Sequence, residues 1–162
     1  MLELLLSSVI AIILLSLIAY IGKSAKRRAL KAKCISQMRV IHTAFASHLV
    51  EEGHWPQILE NVDGELSEDK VFKFWVESLE PYGANQDTWI CPSDKLYREW
   101  REDDDGKYFG SYIPTPFDRL PATPLRWNQP WFIERGDFHG KGAHMAMPDG
   151  SIQESQNPFY GR

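Results

Sequence analysis

The sequence predicts an α+β chain in which one long N-terminal helix carries a small head built on an antiparallel β-sheet. Three observations predict it. No Pro precedes Pro56 and Gly22 is the only Gly among the first 52 residues, so nothing breaks a helix outright over that span. The aromatic residues are displaced from it: eighteen of the twenty, including all six Trp, lie after residue 52. There, short β-like runs alternate with Pro, Gly and Asp-Gly turn signals.

The helix reads as two unlike halves. Leu4 to Ile21 is eighteen residues without a charge. At about 1.5 Å per residue it is roughly 27 Å long, close to the bilayer hydrocarbon core of about 30 Å. No small-residue cleavage site precedes the lysines that follow, as expected of a retained anchor. The pattern then changes to a single apolar stripe, Leu30, Cys34, Met38, Ile41, Phe45 and Leu49, spaced by three and four. The organisation is therefore 1–22, a transmembrane half; 23–52, an amphipathic half of the same helix; and 53–162, a globular head. Residues 1–52 carry seven Lys/Arg against Glu3, Glu51 and Glu52, whereas the head is acidic by about eight charges. An acidic head excludes a nucleic-acid surface, because phosphate neutralisation needs clustered Lys/Arg.

In the head, Gly53 and Pro56 stop the long helix. Ser67 is placed to cap a short amphipathic helix bearing Val71, Phe74, Trp75, Val76 and Leu79, ended by Pro81-Tyr-Gly83. Thr88-Trp-Ile-Cys91 reads as a short β-like run and Phe109–Pro114 as a strand interrupted by Pro. Residues 114–130 hold five prolines and are expected to run extended over the surface. Trp131-Phe-Ile133 reads as a strand. Ala143–Met147 and Ser151–Gln153 form a hairpin around Pro148-Asp149-Gly150.

MLELLLSSVIAIILL, then small and basic residues, then CISQMRVIHTAFASHLVEEGHWP, resembles the N-terminal segment of type IV pilins and type II secretion pseudopilins. The resemblance implies a basic leader removed by a prepilin peptidase, a mature chain starting with an N-methylated Phe, and an acidic residue shortly after it. Glu3 takes that place if two residues, typically Phe-Thr, precede Met1; the expected natural start then lies upstream, the alternative being a lost processing site. The basic run Lys23, Lys26, Arg27, Arg28, Lys31 and Lys33 would by itself put the C-terminal flank in the cytoplasm. The resemblance implies the reverse: a single-pass inner-membrane protein with its head in the periplasm or otherwise outside the cytoplasm. Further matches support a pilin-like fold. His139, nine residues, then Asp149-Gly150 is the H-x9-DG pattern of the prepilin-type processing-associated domain. Trp89-Ile-Cys-Pro-Ser-Asp94 resembles that family's Cys-Pro-Ser-Asp segment, Gly110-Ser-Tyr112 its Ser-Tyr element, and Cys34 its cysteine after the basic run. The implied function is a structural subunit of a pilus or pseudopilus that self-assembles, and assembles with other pilin-like subunits, through its N-terminal helix. Glu3 would neutralise a neighbour's terminal amine.

The site residues leave alternatives open. Cys34 and Cys91 either close a helix-to-head disulfide across about 57 residues, worth roughly 4 kcal/mol in the chain-entropy model, or stand as separate buried thiols. They lack a C-x-x-C companion, so no metal site is assigned. His139 either joins Asp149, with His144 or His54, in a metal or acid–base group, or hydrogen-bonds across the Asp149-Gly150 turn as a structural residue. No nucleophile, HExxH, paired carboxylates or phosphate loop accompanies it, so no catalytic residue is assigned and the chain reads as a non-enzyme. No cofactor is expected. Glu102-Asp-Asp-Asp105-Gly106 offers oxygen ligands for calcium but departs from EF-hand spacing and reads as a solvated charge run. A second reading makes the chain a monomeric membrane-tethered module whose segment from Trp127 to Trp131 binds a glycan or a protein.

Overall fold

The computed structural model describes residues 2–58, 67–95, 109–140 and 142–155. Helix α1 runs unbroken from Leu2 to Glu52, about 75 Å at 1.5 Å per residue. It ends where Gly53 takes φ 73° and its N–H bonds back to the Leu49 carbonyl at 3.1 Å. Every described residue from Leu6 to Lys23 is solvent-exposed, and sustained burial begins only around Leu30. The expected stripe is then realised: Cys34, Met38, Ile41 and Phe45 are fully buried, joined by Ala44 and His48, while Leu30 and Leu49 are half-buried.

Helix α2, Glu68–Leu79, follows Ser67 and buries Phe72, Trp75, Val76 and Leu79. The spacing i, i+3, i+4, i+7 is one helical face, so the inward residue is Phe72, and Val71 and Phe74 sit at its borders. Thr88–Cys91 is not β-like at its start. Asn85 Oδ1 accepts from both the N–H and the hydroxyl of Thr88, which winds Gln86–Trp89 into a 3-10 turn.

Four short strands form one antiparallel meander: β1 Tyr112–Pro114, β2 Phe132–Glu134, β3 Ala143–Ala146 and β4 Ile152–Ser155. Tyr112 pairs with Glu134, Phe132 with Ala146, and His144 with Glu154. Pro114 lies in an edge strand, where its missing N–H is tolerated. Residues 115–130 contain no helix or strand, as the prolines require, yet they are not purely superficial: Phe117 and Pro124 pack inward, and Trp131 Nε1 donates to the Pro124 carbonyl.

Phe45 is the centre of the core. Its ring stacks on Trp55 with centroids 4.2 Å apart, and Trp75, Trp89, Trp131 and Phe132 surround it at 5.9 to 6.3 Å. One residue of α1 thus touches aromatic rings from α2, the 3-10 turn, the sheet and the chain just after α1. That concentration of aromatic surface locks the upper half of α1 to the head.

Candidate functional site

The elements matched by sequence converge where α1 meets the head. Cys34, on the buried face of α1, forms a disulfide with Cys91, which follows the 3-10 turn; their Cα atoms are 5.2 Å apart. Ser111 holds the Cys91 loop. Its hydroxyl accepts from the Cys91 N–H at 2.9 Å and donates to Asp94 Oδ2 at 2.8 Å. The Asp94 N–H in turn bonds the Cys91 carbonyl at 2.9 Å. Next to Ser111, Tyr112 is fully buried and its hydroxyl lies 3.4 Å from the Cys34 carbonyl. Burial pushes that phenol above its ordinary range. The Cys-Pro-Ser-Asp segment, the Ser-Tyr element and Cys34 are therefore parts of one junction.

His139 belongs to the same junction. Its Nε2 is 3.6 Å from Cys91 Sγ and 3.5 Å from Glu134 Oε1. Glu134 is 2 % exposed and sits at the inward end of β2. Its Oε2 accepts from the His144 N–H at 2.8 Å and faces His144 Nδ1 at 2.7 Å. Donating a hydrogen bond to the Glu134 carboxylate raises the His144 pKa, whereas burial lowers that of His139. The two imidazoles, with ring centroids 5.2 Å apart, are thus tuned in opposite directions around one carboxylate. Glu154 on β4 lies 3.4 Å from His144 Nε2 and pairs with Lys31 of α1, tying the sheet back to the helix.

Several expectations are corrected by this geometry. His139 does not bridge the Asp149-Gly150 turn; it precedes β3 and faces the disulfide. The turn caps itself, with Asp149 Oδ1 accepting from the Ser151 N–H, and the histidine against it is His42, whose Nε2 is 3.2 Å from the Pro148 carbonyl. A Cβ on Gly150, at φ 80°, would come 3.3 Å from the His42 ring, so that position suits Gly twice over. His144 does join His139, but His54 lies elsewhere, beside His48. The cysteines do not lack companions: Glu134 and His139 bring an oxygen and a nitrogen to them. Sequence spacing hid this, since His139 is 48 residues from Cys91. A usable signal existed in strand phase, because extending Trp131–Ile133 by one residue puts Glu134 inward, like His144 on the next strand. The tryptophans of the glycan reading part company: Trp131 is buried and stacks on His42, while Trp127 is 85 % exposed. Residues 102–106, the calcium expectation, lie outside the described residues.

The other candidate surface is the exposed apolar length of α1, with Glu3 exposed in its first turn. This one helix is long and apolar enough to cross a membrane, and none of its apolar window is buried within the chain. No protein-family model, curated protein or solved structure matches the chain.

Proposed function

We propose that the chain is a pilin-like structural subunit, anchored in the inner membrane by residues 1–22 with its head outside the cytoplasm, that assembles with its own kind through α1. The observation that carries this reading is the asymmetry of one continuous helix: a bare apolar half joined without a break to a half packed into the head. Each fully buried Leu or Ile gains about 1.5–3 kcal/mol over exposure, so a surface of this size needs lipid or other copies around it. Both environments are used in turn if the subunit leaves the bilayer for a fibre. Glu3 fits that passage, because a carboxylate within apolar surroundings is retained only with a positive partner. The Cys34–Cys91 disulfide accords with an oxidising compartment for the head.

The test is Glu3→Val in the full chain, read by membrane fractionation and by recovery in sheared fibres. The variant is expected to insert normally and to drop about tenfold or more in the fibre fraction, the factor that about 1.4 kcal/mol sets. Incorporation equal to wild type would remove Glu3 from assembly. The exposed indole of Trp127 keeps one competing reading, a tethered glycan- or protein-binding head. Under that reading native membranes contain the chain but no fibres.

A further inference from the structure

Cys34 Sγ, Cys91 Sγ, His139 Nε2 and Glu134 Oε1 all lie within 4.8 Å of one another. Around a tetrahedral ion with bonds of about 2.0–2.3 Å, neighbouring ligand atoms stand about 3.3–3.8 Å apart. Two edges already have that length: Cys91 Sγ to His139 Nε2 at 3.6 Å and His139 Nε2 to Glu134 Oε1 at 3.5 Å. The carboxylate is divided in the manner of a ligand. Its Oε2 is occupied by the His144 N–H and ring, which set its orientation, whereas Oε1 is buried and accepts no hydrogen bond among the described residues. A buried carboxylate oxygen 3.5 Å from an imidazole nitrogen, with two sulfurs within 4.8 Å, is a donor set that can hold a cation. His139 is held in place as well, by a turn in which Asp137 Oδ1 accepts from the His139 and Gly140 N–H groups.

We propose that, when the disulfide is reduced, Cys34, Cys91, His139 and Glu134 bind one zinc ion. Disulfide and metal would then be mutually exclusive clamps at the same junction between α1 and the head. A dithiol supplies the two electrons and two protons that convert the disulfide to two thiols, and itself becomes a disulfide. Zinc then takes both sulfurs as thiolates and releases two protons. Two thiolates, an imidazole and a carboxylate suit a borderline-soft ion with no geometric demand of its own, which favours zinc over magnesium or calcium. In the disulfide the sulfurs are neutral and bonded to each other, so the ligand set exists only in the reduced chain.

The test uses the full chain in detergent, reduced by a trialkylphosphine without oxygen and titrated with cobalt(II) as a spectroscopic substitute. One equivalent is expected to produce a thiolate-to-cobalt charge-transfer band and the intense visible bands of a tetrahedral site, both abolished by zinc. The oxidised chain is expected to produce neither. Glu134→Gln and His139→Gln should each weaken binding by about tenfold or more, with far-ultraviolet circular dichroism of the oxidised variants reporting their folding. X-ray absorption of the zinc-loaded wild type, which needs no variant, should give two sulfur and two nitrogen or oxygen neighbours. Absence of the thiolate band in the reduced chain, a shell of a different composition, or undiminished affinity in both folded variants would overturn the site.

Discussion

The two halves of α1 share one backbone geometry and differ in what surrounds them. From Leu6 to Ile21 the described side chains are apolar or small and exposed on every side. From Cys34 to Phe45 a single stripe, Cys34, Met38, Ile41 and Phe45, is fully buried, while Val40 on the opposite face stays exposed. Between them stand the exposed basic side chains Lys23, Lys26, Arg27 and Arg28, a collar of the kind that meets lipid phosphates when such a helix crosses a bilayer. Helix continuity and helix packing are therefore separate properties. An apolar surface that goes all the way round cannot be satisfied by one neighbouring element, so its partner must be lipid or other chains. A stripe can be satisfied by its own head, and here it is.

The largest effect is expected at Phe45. Phe45→Ala is expected to cost the head about 3–5 kcal/mol, because it removes the ring that five aromatic side chains pack around. Leu14→Ala, in the bare half, is expected to leave head unfolding within about 0.5 kcal/mol of wild type. Urea unfolding of the detergent-held chain, followed by tryptophan fluorescence, measures both; equal losses would mean that the halves are not independent.

A smaller effect is expected inside the head at Gly110. A Cβ there would stand 2.0 Å from Phe72 Cε1, and the Phe72 ring is buried with the Arg135 guanidinium 5.3 Å from its centroid. Gly110→Ala should therefore cost about 1–3 kcal/mol through overpacking. Adding Phe72→Leu should recover part of the loss in the same unfolding measurement, and no recovery would move the cause away from that contact.

The smallest effect is expected at His42, which is half-buried where α1 meets the sheet. Burial lowers the His42 pKa from its ordinary 6.5, against opposing contributions from the Pro148 carbonyl and Asp149. The unfolded chain then binds the proton first as pH falls. His42 therefore contributes stability fully above pH 6.5, and that contribution is lost as pH falls from 6.5 through the lower folded value. His42→Phe, which keeps a ring against Trp131, should flatten the stability–pH curve just below 6.5. The change should stay under about 1 kcal/mol because solvent screens a half-buried ring. An unchanged slope would show that another group carries the acid sensitivity.

Much of the fold was legible because it follows from local periodicity. The spacing Cys34, Met38, Ile41, Phe45 gives the buried face of α1, and Asp149-Gly150 gives the turn between β3 and β4. Less was legible at the head's irregular parts. Thr88 was absorbed into a 3-10 turn by Asn85, a side-chain hydrogen bond that outweighs the β preference of Thr-Trp-Ile. Phe72 does not stand out from its apolar neighbours in the sequence, because a short apolar run does not say which face turns inward. The candidate site was half legible. Cys34, Cys91 and His139 stand out by type, but Glu134 does not, since a lone Glu after a strand reads as solvated.

A single unbroken helix that begins apolar on all sides and ends with one apolar stripe can be read from the chain alone, because composition and spacing along a helix need no partner to be read. So can the aromatic, turn-rich character of the head. Which side chains meet is set by the folded arrangement: His139 faces Cys91 and Glu134, while His42 takes the Asp149-Gly150 turn. Such pairings depend on how distant segments stack around Phe45, and residues 48 positions apart leave no periodic trace of their contact.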